Sequence, residues 1–155
     1  MKERFFLQIP LVLVLAFGIA MMISCGSAPK FSDVAGKEWK LIEVRIDGNG
    51  ILFDRKTLSD EDAGDIFTMN FDAENISGTG APNQYSAPYT SNKQSISIMP
   101  MRSTLMAAIR QPEKLREQDF FTYMQNAYEW KMGKGSLELL SKTEDGGEVT
   151  LVFSL

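Results

Sequence analysis

The sequence predicts an α+β domain in which a curled, barrel-like antiparallel sheet of about seven or eight short strands packs with one main helix. Three observations carry that expectation. Apolar residues alternate at period two in several short runs, as in "IFTMNFD", where Phe67, Met69 and Phe71 share one face. Turn-forming clusters separate those runs, among them Asp47-Gly48-Asn49-Gly50, Gly133-Lys134-Gly135 and Asp145-Gly146-Gly147. One stretch, "PEKLREQDFFTYMQNAYEW", instead sets Leu115, Phe120, Met124, Ala127 and Tyr128 on a stripe at helical spacing. A Met and aromatic stripe of this kind reads as a core face rather than a cofactor box.

Residues 1–24 read as a lipoprotein signal peptide. Lys2 and Arg4 supply a positive start, offset by Glu3, and no charge occurs from Phe5 to Ser24. A run of that length is also long enough to stay as a spanning helix. Its end decides for cleavage. Met22-Ile23-Ser24-Cys25 resembles a bacterial lipobox, in which the thiol receives diacylglycerol and the segment before it is removed. Cys25 is also the chain's one cysteine. Three acyl chains, at roughly 0.8 kcal/mol per buried methylene, would hold the mature protein, with its N-terminal palmitate, at a membrane. Gly26 offers no Asp-type signal for inner-membrane retention, so the expected location is the outer membrane, facing the periplasm or exposed at the cell surface. "GSAPKFSDVAG" has no periodicity, so 25–36 reads as a lipidated tether and 37–155 as the globular domain.

Within that domain "EWKLIEVRI" reads as a strand with Trp39 and Leu41 inward and a slip before Val44 and Ile46. "ILF" begins a short return strand. "DRKTLSDEDAGD" carries Asp54, Asp60, Glu61, Asp62 and Asp65 without an apolar period, and reads as a solvated loop. It is not a calcium loop, because the twelfth position from Asp60 is Phe71, where an EF-hand needs a bidentate Glu. The segment "ISGTGAPNQYSAPYT", Ile76 to Thr90, reads as an irregular crossover between strands. Gly78 and Gly80 suit a bulge or a positive φ, Pro82 and Pro88 limit ladder bonding, and Asn83 can cap a turn. Tyr85 and Tyr89, four apart, would share one side of an extended segment and form a candidate binding surface. "SISIM" alternates again, with Ile96 and Ile98 inward, and "TLMAAI" is either one helical turn or an extended edge. Pro112 is placed to open the main helix, with Glu113 in its first turn. "AYEWKM", "SLELLS" and "EVTLVFSL" then close the chain as an antiparallel meander.

In this order the pieces "EWKLIEV", "FTMNFDAENISGTGAPNQYSAPYT", "SISIMP", "STLMAA", "EQDFFTYMQNAYEW", "SLELL" and "VTLVF" resemble the META domain, or HslJ-like, family. The resemblance covers about residues 37–154 and rests on order and spacing. Its motif positions fall here on Trp39, Leu41, Gly78, Gly80, Asn83, Tyr85, Tyr89, Thr104 and Met106. It implies a lipoprotein of the bacterial envelope linked to stress tolerance and drug resistance, with no assigned chemistry. Two positions depart from the family pattern: Pro82 stands where Cys often precedes Asn, and Ala108 where Cys often closes Thr-x-Met. The paired departure is what a discarded disulfide would leave, if those positions face each other. A bridge typically adds about 2–4 kcal/mol, part of which packing or Pro82 would have to offset.

Composition narrows the function further. The chain has no His, which removes the usual general base and the commonest zinc ligand. Without the first four residues, two of 16 basic and one of 20 acidic side chains drop out, leaving 14 against 19. Nucleic acid is not an expected partner of so acidic a chain with scattered Lys and Arg. No Gly-x-Ser-x-Gly elbow occurs, and Glu43 and Glu138 fall on outward positions of their strands. The expectation is a non-enzymatic protein with neither cofactor nor metal. It would be anchored to the membrane by its N-terminal lipid and would bind another envelope protein. The alternative is a carrier that holds a small hydrophobic ligand inside the curved sheet, among Phe, Met and Trp side chains.

Overall fold

A computed structural model describes residues 30–61, 63–106, 112 and 114–155. A 3-10 turn, Phe31–Asp33, leads into β1 (Glu38–Ile46), β2 (Asn49–Leu52) and a short helix α1 (Arg55–Asp60). Then come β3 (Thr68–Phe71), β4 (Asn75–Thr79), β5 (Gln84–Asn92), β6 (Ser95–Ile98) and β7 (Arg102–Ser103). The main helix α2 (Glu117–Gln125) precedes β8 (Glu129–Met132), β9 (Ser136–Lys142) and β10 (Glu148–Ser154).

Antiparallel pairing runs from β1 through β10, β9, β8, β6, β5, β4 and β3 and returns to β1, so eight strands close a barrel. β2 and β7 are extra strands, paired with β1 and β5. Closure follows from a strand that changes direction. The register of β1 against β10 shifts between Leu41 and Glu43, so Trp39 and Leu41 point inward, and Val44 does so again after the bulge. Beyond Ile46 the two-residue turn Asp47-Gly48 takes positive φ at both positions, the I′ geometry that suits the twist of a hairpin.

Alternation in the other strands fills the interior. Phe67, Met69, Phe71, Ile76, Tyr85, Trp130, Leu137, Leu139, Leu151 and Phe153 are buried in one cluster with Trp39 and Leu41. Helix α2 closes one end. Its Phe120 ring meets Phe67 and Tyr85 at centroid distances of 5.0 and 6.0 Å. Four residues further along the chain from Phe67 and from Tyr85, the Phe31 ring sits 5.0 Å from Phe71 and 5.4 Å from Tyr89. It also lies 5.3 Å from Trp130.

That contact corrects the start of the domain. Residues 31–36 are packed rather than a free tether: Val34 is fully buried, its carbonyl accepts from Trp39 Nε1 at 2.9 Å, and the Gly36 N–H donates to Phe71 O. The reason is apolar. Phe31 and Val34 offer the barrel an end plug that their polar neighbours conceal in the sequence. Three further readings are corrected. The acidic loop contains α1, because Asp54 accepts from the Lys56 N–H at 3.0 Å and from the Thr57 hydroxyl at 2.9 Å as an N-cap. The crossover at Ile76–Thr90 is a regular hairpin of β4 and β5. Pro88 fits there because its edge falls between the pairing of Tyr85–Ser86 with β7 and that of Tyr89–Asn92 with β6. Finally, α2 starts at Glu117, five residues after Pro112, with Arg116 as N-cap. Met22 to Cys25 and Ala108 lie outside the described residues.

Candidate functional site: a buried carboxylate and the segment it holds

The β4–β5 hairpin turns through Gly80–Asn83, with a cis peptide between Ala81 and Pro82. The Gly80 N–H donates to Asn83 O at 2.6 Å, and Gly80 O accepts from the Phe67 N–H at 3.0 Å. Gly80 is required by proximity. A Cβ there would stand 2.6 Å from Glu117 Oε1 and 2.7 Å from the Phe121 ring. Gly78 is required in the same way, since a Cβ would overlap the backbone of Thr68.

Glu117, in the first turn of α2, is buried and faces this turn. Its Oε1 accepts from the backbone N–H groups of Ala81 and Asn83, each at 2.6 Å, and its Oε2 accepts from Asn83 Nδ2 at 2.7 Å. The helix N-terminus favours an anion at this point. The remaining capacity of the Asn83 amide is spent on the segment after β7. Asn83 Oδ1 accepts from the Thr104 hydroxyl at 2.8 Å and from the Met106 N–H at 2.7 Å, while Nδ2 also donates to Met106 O at 3.3 Å. Asn83 therefore pairs with Met106 much as a strand residue would, and the carboxylate sets which way its amide faces. Leu105 and Met106 project outward from this clasp, 99% and 59% exposed.

The predicted motif residues thus separate into two groups. Trp39, Leu41, Gly78, Tyr85 and Tyr89 belong to the packed barrel, whereas Gly80 and Asn83 lie against Glu117 and Thr104 and Met106 are bonded to Asn83. The tyrosines share one side of β5, as the spacing predicts, but it is the inner side, and this corrects the candidate binding surface. Tyr85 is buried, donates to Thr68 O at 2.8 Å, and has its phenol pKa pushed well up by burial. Tyr89 is half-buried against Phe31 and Phe71 and donates to Asp72 O at 2.8 Å. Glu117 was missed. Its signal was present, because positions 117, 120, 121 and 124 form one helical stripe and the first of them is acidic.

Two arginines make their bonds away from this turn. Arg45 bonds Glu43 at 2.6 Å and Glu138 at 3.2 Å, bridging over Val152, which is in register with both acids and buried outside the main core. The Arg55 guanidinium donates to the carbonyls of Ile66 and Phe67, and burial lowers its pKa to about 10. Among the described residues no group of three or more acids, Cys or His gathers as metal ligands. Nor is any helix long and apolar enough to cross a membrane among those residues.

Comparison with known proteins places this architecture. The chain is similar to a protein from Burkholderia xenovorans solved by NMR, at 17% identity and a TM-score of 0.58, covering 82% of this chain and 90% of that one. It is also similar to a DUF4847 family protein from Bacteroides vulgatus, at 15% identity and a TM-score of 0.52, covering 79% and 94%. At these identities the likeness concerns the fold. No curated protein matches. The model of the META domain matches residues 32–154, a span that begins just after Phe31 and ends with β10, and the chain belongs to the META domain family.

Proposed function

We propose that this chain is a lipid-anchored, non-catalytic protein of the bacterial envelope that acts by binding another envelope protein with the outer surface of its barrel. The observation that carries the reading is the filled interior. Trp39, Phe67, Phe71, Phe120, Trp130 and Phe153 are each essentially inaccessible to solvent and occupy the barrel with their neighbours. A barrel packed in this way leaves its exterior for recognition, which argues against the carrier alternative. Among the described residues the one deeply buried acid, Glu117, is taken up by three hydrogen bonds to the β4–β5 turn. Anchoring rests on the lipobox around Cys25, outer-membrane placement on Gly26, and the stress-tolerance role on family likeness alone. Metabolic labelling with palmitate tests the anchor: label should enter the wild type and be absent from Cys25→Ala. Equal labelling of both would remove the anchor from the proposal. Crosslinking in intact envelopes tests the second half, and recovery of the uncrosslinked chain alone would count against a protein partner.

A further inference from the structure

The strand-like strap that follows β6, residues 99–106, carries three features that the barrel does not need. First, it exposes apolar side chains while its backbone is held. Leu105 and Met106 point outward, Met99 is 38% exposed, and yet Thr104 N–H donates to Gln84 O at 3.0 Å and Asn83 clamps Met106 on both sides. Fixed exposure of this sort forgoes the stabilisation that burying such side chains normally brings.

Second, the charge of this stretch opposes that of the chain. From Met99 to Arg116 the sequence has four basic residues, Arg102, Arg110, Lys114 and Arg116, against the single acid Glu113, in a chain whose net charge is −4. Arg116 is paired with Asp119 at 2.7 Å, whereas Arg102 and Lys114 are exposed. The outward residues of β5 beside β7, Gln84, Ser86 and Pro88, are uncharged. Lys114 is exposed three residues before Glu117, and Asn83 bonds both the Glu117 carboxylate and the Met106 backbone.

Third, the strap pairs at the start of β5, and the Phe31 plug packs on Tyr89 four residues further along it. Tyr85, paired with β7, and Tyr89, packed on Phe31, are separated by about 13 Å at the usual strand rise. Six residues from Cys25 to Phe31 reach at most about 20 Å, so a chain anchored at Cys25 can lay the strap on the same surface.

Exposed Leu and Met flanked by cations fit an interfacial contact with anionic lipid, where apolar tips enter the headgroup boundary and basic groups meet phosphate. We infer that Met99, Arg102, Leu105, Met106 and Lys114 form a docking face for the surface of a membrane rich in anionic phospholipid. The lipid anchor is not required for this contact.

The test uses residues 26–155, which hold the complete closed barrel and lack Cys25, so failure of the anchor and failure of the strap are read separately. Sedimentation with phosphatidylglycerol vesicles should carry the protein down, with partition falling steeply as salt is raised from about 0.05 to about 0.5 M. Pure phosphatidylcholine vesicles should bind it at least about tenfold less. Arg102→Glu/Lys114→Glu and Leu105→Ser/Met106→Ser should each lose about tenfold or more, with unchanged circular dichroism because the altered side chains are exposed. Absence of sedimentation with phosphatidylglycerol overturns the inference, and so does equal partition into both lipids or full binding by either variant. A concentration-dependent dimer that Leu105→Ser/Met106→Ser abolishes also overturns it, by giving the face to a second copy of the chain.

Discussion

At the scale of single residues, Glu117 decides more than its place in the sequence suggests. Replacing it with Ala would leave three donors unsatisfied in a buried turn, and each such group costs roughly 1–3 kcal/mol. We expect Glu117→Ala to lose about 3 kcal/mol or more in urea unfolding, read as a shift of midpoint at constant slope. Glu117→Gln is more informative. It keeps the shape but sets an amide donor against Asn83 Nδ2, and if Asn83 turns over, Oδ1 no longer accepts from the Met106 N–H. Hydrogen exchange at Met106 should therefore accelerate in Glu117→Gln, and unchanged protection there would show that the carboxylate does not orient Asn83. Tyr85 makes a prediction in pH. Its buried phenol stays neutral in the folded state, while in the unfolded chain it ionises near its ordinary value of 10.0. Stability is thus independent of this group below that pH and falls as pH rises above it. Tyr85→Phe should be less stable near neutrality, having lost the bond to Thr68 O, but should show a shallower alkaline decline.

At the scale of elements, the N-terminal turn is part of the barrel. A free tether would tolerate any change at Phe31. A plug packed against three aromatic rings would not, and Phe31→Ala should cost about 2 kcal/mol, less than a fully buried Phe because the ring is half-buried. An unchanged urea midpoint would return residues 31–36 to the tether. The same turn was hidden in the sequence because one Phe and one Val spaced by polar residues have no period to detect. Helix α1, by contrast, was legible in retrospect: Asp54 followed by Lys56 and Thr57 is an N-cap pattern, masked by the acids that follow it. Hairpin β4–β5 was obscured by its prolines. A proline read alone argues against a strand, but Pro88 falls at a gap between two partners, and which strands flank a given edge is not local information.

At the scale of the whole molecule, the barrel is closed unevenly. β1 and β10, the first and last strands, pair from Lys40 with Ser154 to Ile46 with Val149. β6 and β8 meet only at Ser95 and Glu129, supported by Ile96 N–H to Tyr128 O, Trp130 N–H to Gln94 O and Trp130 Nε1 to Lys93 O. Native-state hydrogen exchange should therefore find Ile96 and Trp130 opening at lower free energy than Val44 and Leu151. Equal protection at both seams would mean that the barrel opens only as a unit.

The sequence by itself determined the alternation that fills the barrel, the bulge in β1, the closing meander and the existence of a main helix. These depend on the spacing of apolar side chains along a few residues, and local spacing is what a sequence displays. Tertiary structure alone decided that the sheet closes, that Tyr85 and Tyr89 face inward, that Phe31 seals one end, and that Glu117 meets Asn83 across 34 residues of chain. Each of these depends on which distant surfaces come together, and their free energies arise only once the barrel has brought those surfaces into contact.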